Sequence, residues 1–117
     1  GLCKADEELI NKIIGIIEEN ITDSNFGVER LSEIINMSRS SLHRKIKALT
    51  DLSSLDFIRI IRLKRAAELL QEGELRINEI SDRVGFSSSR YFSKCFKDVY
   101  HVSPMSYRKG KESEDEE

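Results

Sequence analysis

The 117-residue chain is long enough to bury a real core, as one ordinary domain or as two small helical units sharing an element. One Pro, six Gly and few aromatics, beside runs rich in Leu, Ile, Glu, Lys and Arg, favour an all-α fold. No run approaches the roughly 20 apolar residues of a membrane span and no basic-then-apolar leader opens the chain, so it reads as soluble and cytoplasmic.

The formal net charge of −2 hides a strong segregation. It is −5 over residues 1–38, +6 over 39–65, −4 over 66–82, +6 over 83–111 and −5 over 112–117. Two separate basic blocks of this kind describe local fields and the partners they attract. Cys3 and Cys95 belong to no CxxC or Cys/His cluster, so neither a disulfide framework nor a metal site is expected, and Cys95 reads as a small core residue.

In chain order, Leu9, Ile10, Ile13, Ile14 and Ile17 repeat at helical spacing behind Asp6, Glu7 and Glu8, which suit a helix N-terminus; this first helix should end near Asn20. Val28, Leu31, Ile34 and Ile35 form one face of a short second helix stopping near Asn36. Ser38 can cap a third, whose apolar line Leu42, Ile46 and Leu49 leaves Arg39, Ser40, His43, Arg44 and Lys47 on the opposite face. Ser53 with Asp56 resembles a capping box and opens the longest helix, about residues 54–71, on the order of 27 Å long. Its apolar positions include Leu55, Ile58, Leu63, Ala66, Ala67 and Leu70.

Beyond the turn at Gly73, Ile77, Ile80 and Val84 mark a fifth helix, and Gly85 suits a left-handed turn after it. Ser87 or Ser88 starts the sixth, with Phe92, Cys95, Phe96 and Val99 inward and Ser89, Arg90, Ser93, Lys94 and Lys97 outward. Ser103-Pro104 is a cap followed by a favoured first helical residue, predicting a short seventh helix through Tyr107. The charged tail, 111–117, is expected to be disordered.

The chain repeats itself. Val28, Leu31, Ser32, Ile35, Met37 and Ser38 match Ile77, Ile80, Ser81, Val84, Phe86 and Ser87 at an offset of 49. Leu42, Arg44, Ile46, Lys47, Leu52, Ser53 and Phe57 match Phe92, Lys94, Phe96, Lys97, Val102, Ser103 and Tyr107 at an offset of 50, which places one inserted residue near the start of the later helix. Each copy is a short helix, a tight turn and a second helix with a basic outward face, the arrangement of a helix-turn-helix. The second helix of that motif enters the major groove, where each base pair presents a distinct donor and acceptor pattern. A single basic helical face is ordinarily solvated surface; two at a fixed offset are hard to explain as packing alone.

The later copy carries Ile77-Asn78-Glu79-Ile80-Ser81-Asp82-Arg83-Val84-Gly85-Phe86, then Tyr91-Phe92-Ser93-Lys94-Cys95-Phe96-Lys97 and Val102-Ser103-Pro104 with Tyr107-Arg108. This closely resembles the signature of the AraC-type DNA-binding domain, and Ile61 to Leu70 and Met37 to Lys45 resemble that family's linker helix and first recognition helix. The resemblance covers about residues 6–109. It implies seven helices: an N-terminal helix-turn-helix unit over 6–53, a linker helix over 54–71 and a C-terminal unit over 72–110, with the third and sixth helices in neighbouring major-groove segments. Carried over by position, it makes Ser40, His43, Arg44, Ser89, Arg90, Tyr91 and Lys94 base-contact candidates, and Arg39, Lys47, Ser88 and Lys97 phosphate-contact candidates.

Asp51, Ser54 and His101 depart from the family's usual Gly, Pro and Gly, and Arg76 from its usual Ser or Thr cap, a loss typically of about 1 kcal/mol. The first helix and linker further resemble the output domain of hybrid two-component sensor regulators. That implies a parent with a receiver domain and histidine kinase, RNA polymerase as a partner beside double-stranded DNA, and no cofactor. An enzyme is not expected of this domain, since His43 and His101 have no carboxylate or nucleophile at motif spacing and no phosphate loop appears. The alternative reading is a helical protein-protein interaction module presenting its acidic segments; the chain is compatible with a monomer.

Overall fold

The computed structural model describes residues 3–116, with side chains as far as Gly110. Among them the fold is all helical: α1 (Lys4–Glu19), α2 (Val28–Ile35), α3 (Arg39–Thr50), α4 (Ser54–Glu72), α5 (Ile77–Arg83), α6 (Ser89–Tyr100) and α7 (Pro104–Glu116). No helix among the described residues is long and apolar enough to cross a membrane.

Serine hydroxyls set the starts of four helices. Ser38 Oγ accepts from the Ser41 amide at 3.1 Å, Ser53 Oγ from Asp56 at 3.1 Å, Ser88 Oγ from Tyr91 at 3.2 Å and Ser103 Oγ from Ser106 at 3.1 Å. Each satisfies a donor that the first helical turn leaves free, typically about 1 kcal/mol of stability. Arg76, at the corresponding position of α5, makes no side-chain cap.

Each unit has its own core. Ile13, Ile17, Leu31, Leu42, Ile46, Phe57 and Ile58 fill the first. Leu63, Ala66, Leu70, Ile80, Val84, Phe92 and Phe96 fill the second, with Tyr107 packed against it. α4 therefore gives its N-terminal half to one core and its C-terminal half to the other. A helix buried on more than one side carries apolar residues around much of its circumference, which is why α4 lacks the single clean stripe of α2 and α6.

The two helix-turn-helix turns are built alike. Asn36 (φ 59°) and Gly85 (φ 85°) take the left-handed conformation at an offset of 49, and the Met37 and Phe86 amides each reach back to the carbonyls of Ser32 and Ser81, both at 3.0 Å. The offset becomes 50 at the caps, because Ser88 rather than Ser87 caps α6; Ser87 is the inserted residue.

Two expectations need correcting. Spacing alone predicts α7 to end near Tyr107, but Arg108 donates to the carbonyls of Leu70 (3.3 Å) and Leu75 (2.5 Å), which holds the next turn against the end of α4. The tail expected to be disordered, 111–117, lies outside the residues whose side chains are described. Val99 and Leu55 are 38% and 56% exposed instead of inward, since Phe92, Cys95 and Phe96 already fill the core side of α6 and Phe57 and Ile58 that of the start of α4.

One buried charge joins the units. Arg62, 5% exposed, donates from Nη1 to the carbonyls of Ile21 (2.6 Å) and Val84 (2.7 Å), and from Nη2 to those of Asp23 (3.1 Å) and Phe26 (2.9 Å). Burial pushes its guanidinium below the usual arginine value while Asp23 opposes the shift, and an arginine remains charged regardless.

Candidate nucleic-acid interface

In α3 the burial of Leu42 and Ile46 fixes which face turns outward, and Arg39, Ser40, His43, Arg44 and Lys47 are all exposed. In α6 the burial of Phe92, Cys95 and Phe96 does the same for Ser89, Arg90, Tyr91, Lys94 and Lys97, with Ser88 exposed at the cap. All eleven candidate residues are thus open to solvent. Outward cations on a helix one or two turns long in its reading face are free to meet either base edges or phosphates, with geometry deciding between them.

Their side chains are not equally free. Lys47 donates to the Asp51 carbonyl at 2.9 Å and sits 3.6 Å from the Asp51 carboxylate, a cation satisfying the end of α3. Arg44 donates to Ser41 Oγ at 3.3 Å along its own helix. Lys45, on the flank of α3, is tied to Asp6 at 2.9 Å, which anchors the start of α1 to α3.

The two outward faces border one surface. Leu55 lines a groove with Arg39, Ser40, His43 and Arg44 of the first unit. It also lines a cleft with Arg59, Phe86, Ser87 and Tyr91. The first turns of α4 therefore form a ridge between the exposed N-terminal halves of α3 and α6.

On that ridge the Arg59 guanidinium lies 5.9 Å from the centre of the Tyr91 ring, a cation–π contact, and 3.3 Å from Asp56. Tyr91 also packs against Phe86, centroids 6.0 Å apart, and the neighbouring Cys95 thiol raises the phenol's pKa above the usual tyrosine value. Leu55 and Arg59 were not legible as surface residues of this face: Leu55 fits the apolar spacing of α4, and nothing local separates half-buried Arg59 from buried Arg62 one turn on.

Two helix-turn-helix units with cationic second helices, arrayed about one connecting helix, define a bipartite helix-turn-helix domain. A family model described as a helix-turn-helix domain matches residues 31–110, and the chain belongs to the AraC-type helix-turn-helix family. Among curated relatives, Histidine kinase P4 of Formosa agariphila is 43% identical over 92% of this chain, and the Msm operon regulatory protein of Streptococcus mutans is 38% identical over 86% of it. The chain spans only 8% and 36% of those two proteins' lengths.

Among solved structures, the C-terminal domain of AraT, a response regulator from Geobacillus stearothermophilus, superposes with a TM-score of 0.79 at 36% identity, covering 86% of this chain and 84% of that one. The DNA-binding domain of AdpA, a global transcriptional factor in complex with a target DNA, superposes with a TM-score of 0.81 at 25% identity, covering 89% and 93%.

Proposed function

We propose that this domain binds double-stranded DNA sequence-specifically and regulates transcription, with α3 and α6 entering adjacent major-groove segments on one face of the duplex. The observation that carries this reading is the pair of exposed cationic helices flanking a common ridge at Leu55 and Arg59. The molecule's longest dimension, 46 Å, is enough for two contacts about one DNA turn apart, roughly 34 Å. Ser40, His43 and Arg44 of α3 and Ser89, Arg90, Tyr91 and Lys94 of α6 read base edges; Arg39, Lys47, Ser88 and Lys97 meet phosphates. Arg and Lys suit the acceptors of guanine, and the serines are permissive.

The likeness to Histidine kinase P4 and to the response regulator AraT supports a role as the output domain of a cytoplasmic two-component regulator. In that setting a linked receiver domain controls the DNA-bound state and RNA polymerase is the downstream partner.

Selection of bound duplexes from a random pool, followed by affinity measurement at several salt concentrations, tests the reading. A bipartite motif should emerge, and log affinity should fall against log salt with a slope of about 0.9 for each phosphate neutralised. Absence of any enriched motif, with binding indifferent to salt, would favour a protein-interaction module instead.

A further inference from the structure

We propose that Arg62 is a positioning residue that sets the rotational register in which the two helix-turn-helix units read DNA, an inference that rests on the two-headed binding proposed above. Three of its four carbonyl partners, Ile21, Asp23 and Phe26, belong to the connection between α1 and α2 in the first unit. The fourth, Val84, ends α5 in the second. A guanidinium is planar and rigid, and this one is almost wholly removed from water. Any rotation of one unit against the other must break a charge-assisted hydrogen bond that solvent cannot replace.

The second unit is seated on the same group. A Cβ at Gly85 would run into the Arg62 guanidinium and the Ile21 carbonyl, so the turn leading to α6 lies directly against the clasp. The cores of the two units are otherwise separate clusters, joined by α4 and by Ile21 packing against the second core. A continuous helix fixes distance along its axis, but not how each unit is rotated about it. Duplex DNA is demanding on both: one base pair of misregister is about 3.4 Å and about 35° of rotation. The clasp removes the rotational freedom that α4 leaves.

The test uses the bipartite duplex recovered by selection, together with versions carrying one base pair inserted or deleted between its halves. The wild-type chain should bind the altered duplexes about tenfold or more weakly. Arg62→Met and Arg62→Lys should bind the original duplex less tightly, while their preference over the altered spacings shrinks to about threefold or less, with helical content unchanged. A lysine keeps the charge but offers one donor centre, which cannot fork between the units.

Retention of the wild-type spacing preference, or an equal loss on all three duplexes, would overturn the proposal. Should Arg62→Met fail to fold, Arg62→Lys decides the question. A DNA-free measurement separates this inference from the functional reading: spin labels at Glu29→Cys and Asp98→Cys, in a Cys3→Ser background, should give a narrow distance distribution that broadens in Arg62→Lys. An unchanged width refutes the clasp even if the chain binds no DNA. Failure of the wild type to bind any bipartite duplex, with the distribution broadening as expected, would refute two-headed binding and with it the positioning role.

Discussion

Asp51 and His101 close α3 and α6 in the same left-handed conformation, φ 64° and 67°, at equivalent positions of the two units. Side chains with a Cβ are strained there, by roughly 1–2 kcal/mol, although Asp tolerates the region better than most. His101→Gly should therefore stabilise the domain by about 1 kcal/mol and raise its melting temperature by about 4 °C. Asp51→Gly should gain less, because Asp is less strained and its carboxylate neighbours Lys47. Thermal melts followed by circular dichroism give the order, and a reversed ranking would contradict this account.

Ser54 and Pro104 occupy the first position of α4 and α7, each after a serine cap. Ser54 is 3% exposed and its hydroxyl has no hydrogen-bond partner among the described residues. Ser53 is extended, with ψ 161°, as a residue before proline prefers. Ser54→Pro removes the orphaned hydroxyl and restricts the unfolded chain, so it should stabilise the fold by about 0.5–1 kcal/mol. Urea denaturation measures this directly; a destabilised variant would show that the hydroxyl has a partner in solution.

Gly85 and Gly73 separate steric from conformational cost. Both have positive φ, 85° and 76°, but only at Gly85 does an added Cβ strike neighbouring atoms. Gly73→Ala should cost about 1 kcal/mol, the left-handed penalty alone. Gly85→Ala should cost at least about 2 kcal/mol, because it also displaces a buried guanidinium. Equal losses in chemical denaturation would place the Arg62 side chain elsewhere.

The Asp6–Lys45 bridge gives a pH signature. Its hydrogen bond to Lys45 holds the Asp6 carboxyl below the usual carboxylate range, and the same contact raises Lys45. A lowered folded-state pKa means that the stabilisation is present above the unfolded value, near pH 4, and is lost as pH falls through the folded one. For Lys45 the contribution is lost only as pH rises past the ordinary lysine range. Wild type should melt above Asp6→Asn at pH 6, and the gap should close toward pH 3. High salt should narrow it as well, since the pair is partly exposed. A gap independent of pH would mean that the substitution acts through something other than charge.

Arg44 and Lys94 stand at matching outward positions, and replacing either with Ala should weaken specific DNA binding by roughly 1–3 kcal/mol without loss of helicity. Lys97→Ala should lower the salt slope by about 0.9, whereas Lys47→Ala should lower it less because that ammonium already serves the end of α3. Titration at several salt concentrations distinguishes the two lysines, and identical slopes for both variants would remove the distinction.

Helix identity and order were legible in residue spacing because they are local: Leu42, Ile46 and Phe92, Phe96 declare their buried faces within one or two turns, and Ser38, Ser53 and Ser103 mark starts by hydrogen bonds three residues long. The duplication was legible for the same reason, since each unit repeats the same local code. Even the outward faces of α3 and α6 followed from which residues had to be inside. Ser87 or Ser88 could not be decided from spacing, because either serine can cap; in the structure it is Ser88 whose hydroxyl accepts from the Tyr91 amide.

Arg62 belongs to a different scale. Its partners lie between 22 and 41 residues away, and they are backbone carbonyls, which every residue owns and no side-chain pattern announces. Arg59 and Arg62 are therefore indistinguishable along the chain, yet one meets Tyr91 at the surface and the other is sealed between two units. Leu55 follows the same logic: its apolarity implies burial, while Phe57 and Ile58 take the core side of the start of α4 and leave it at the surface. Short-range periodicity encodes which side of each helix avoids water; the pose of one packed unit against another depends on where distant segments happen to converge.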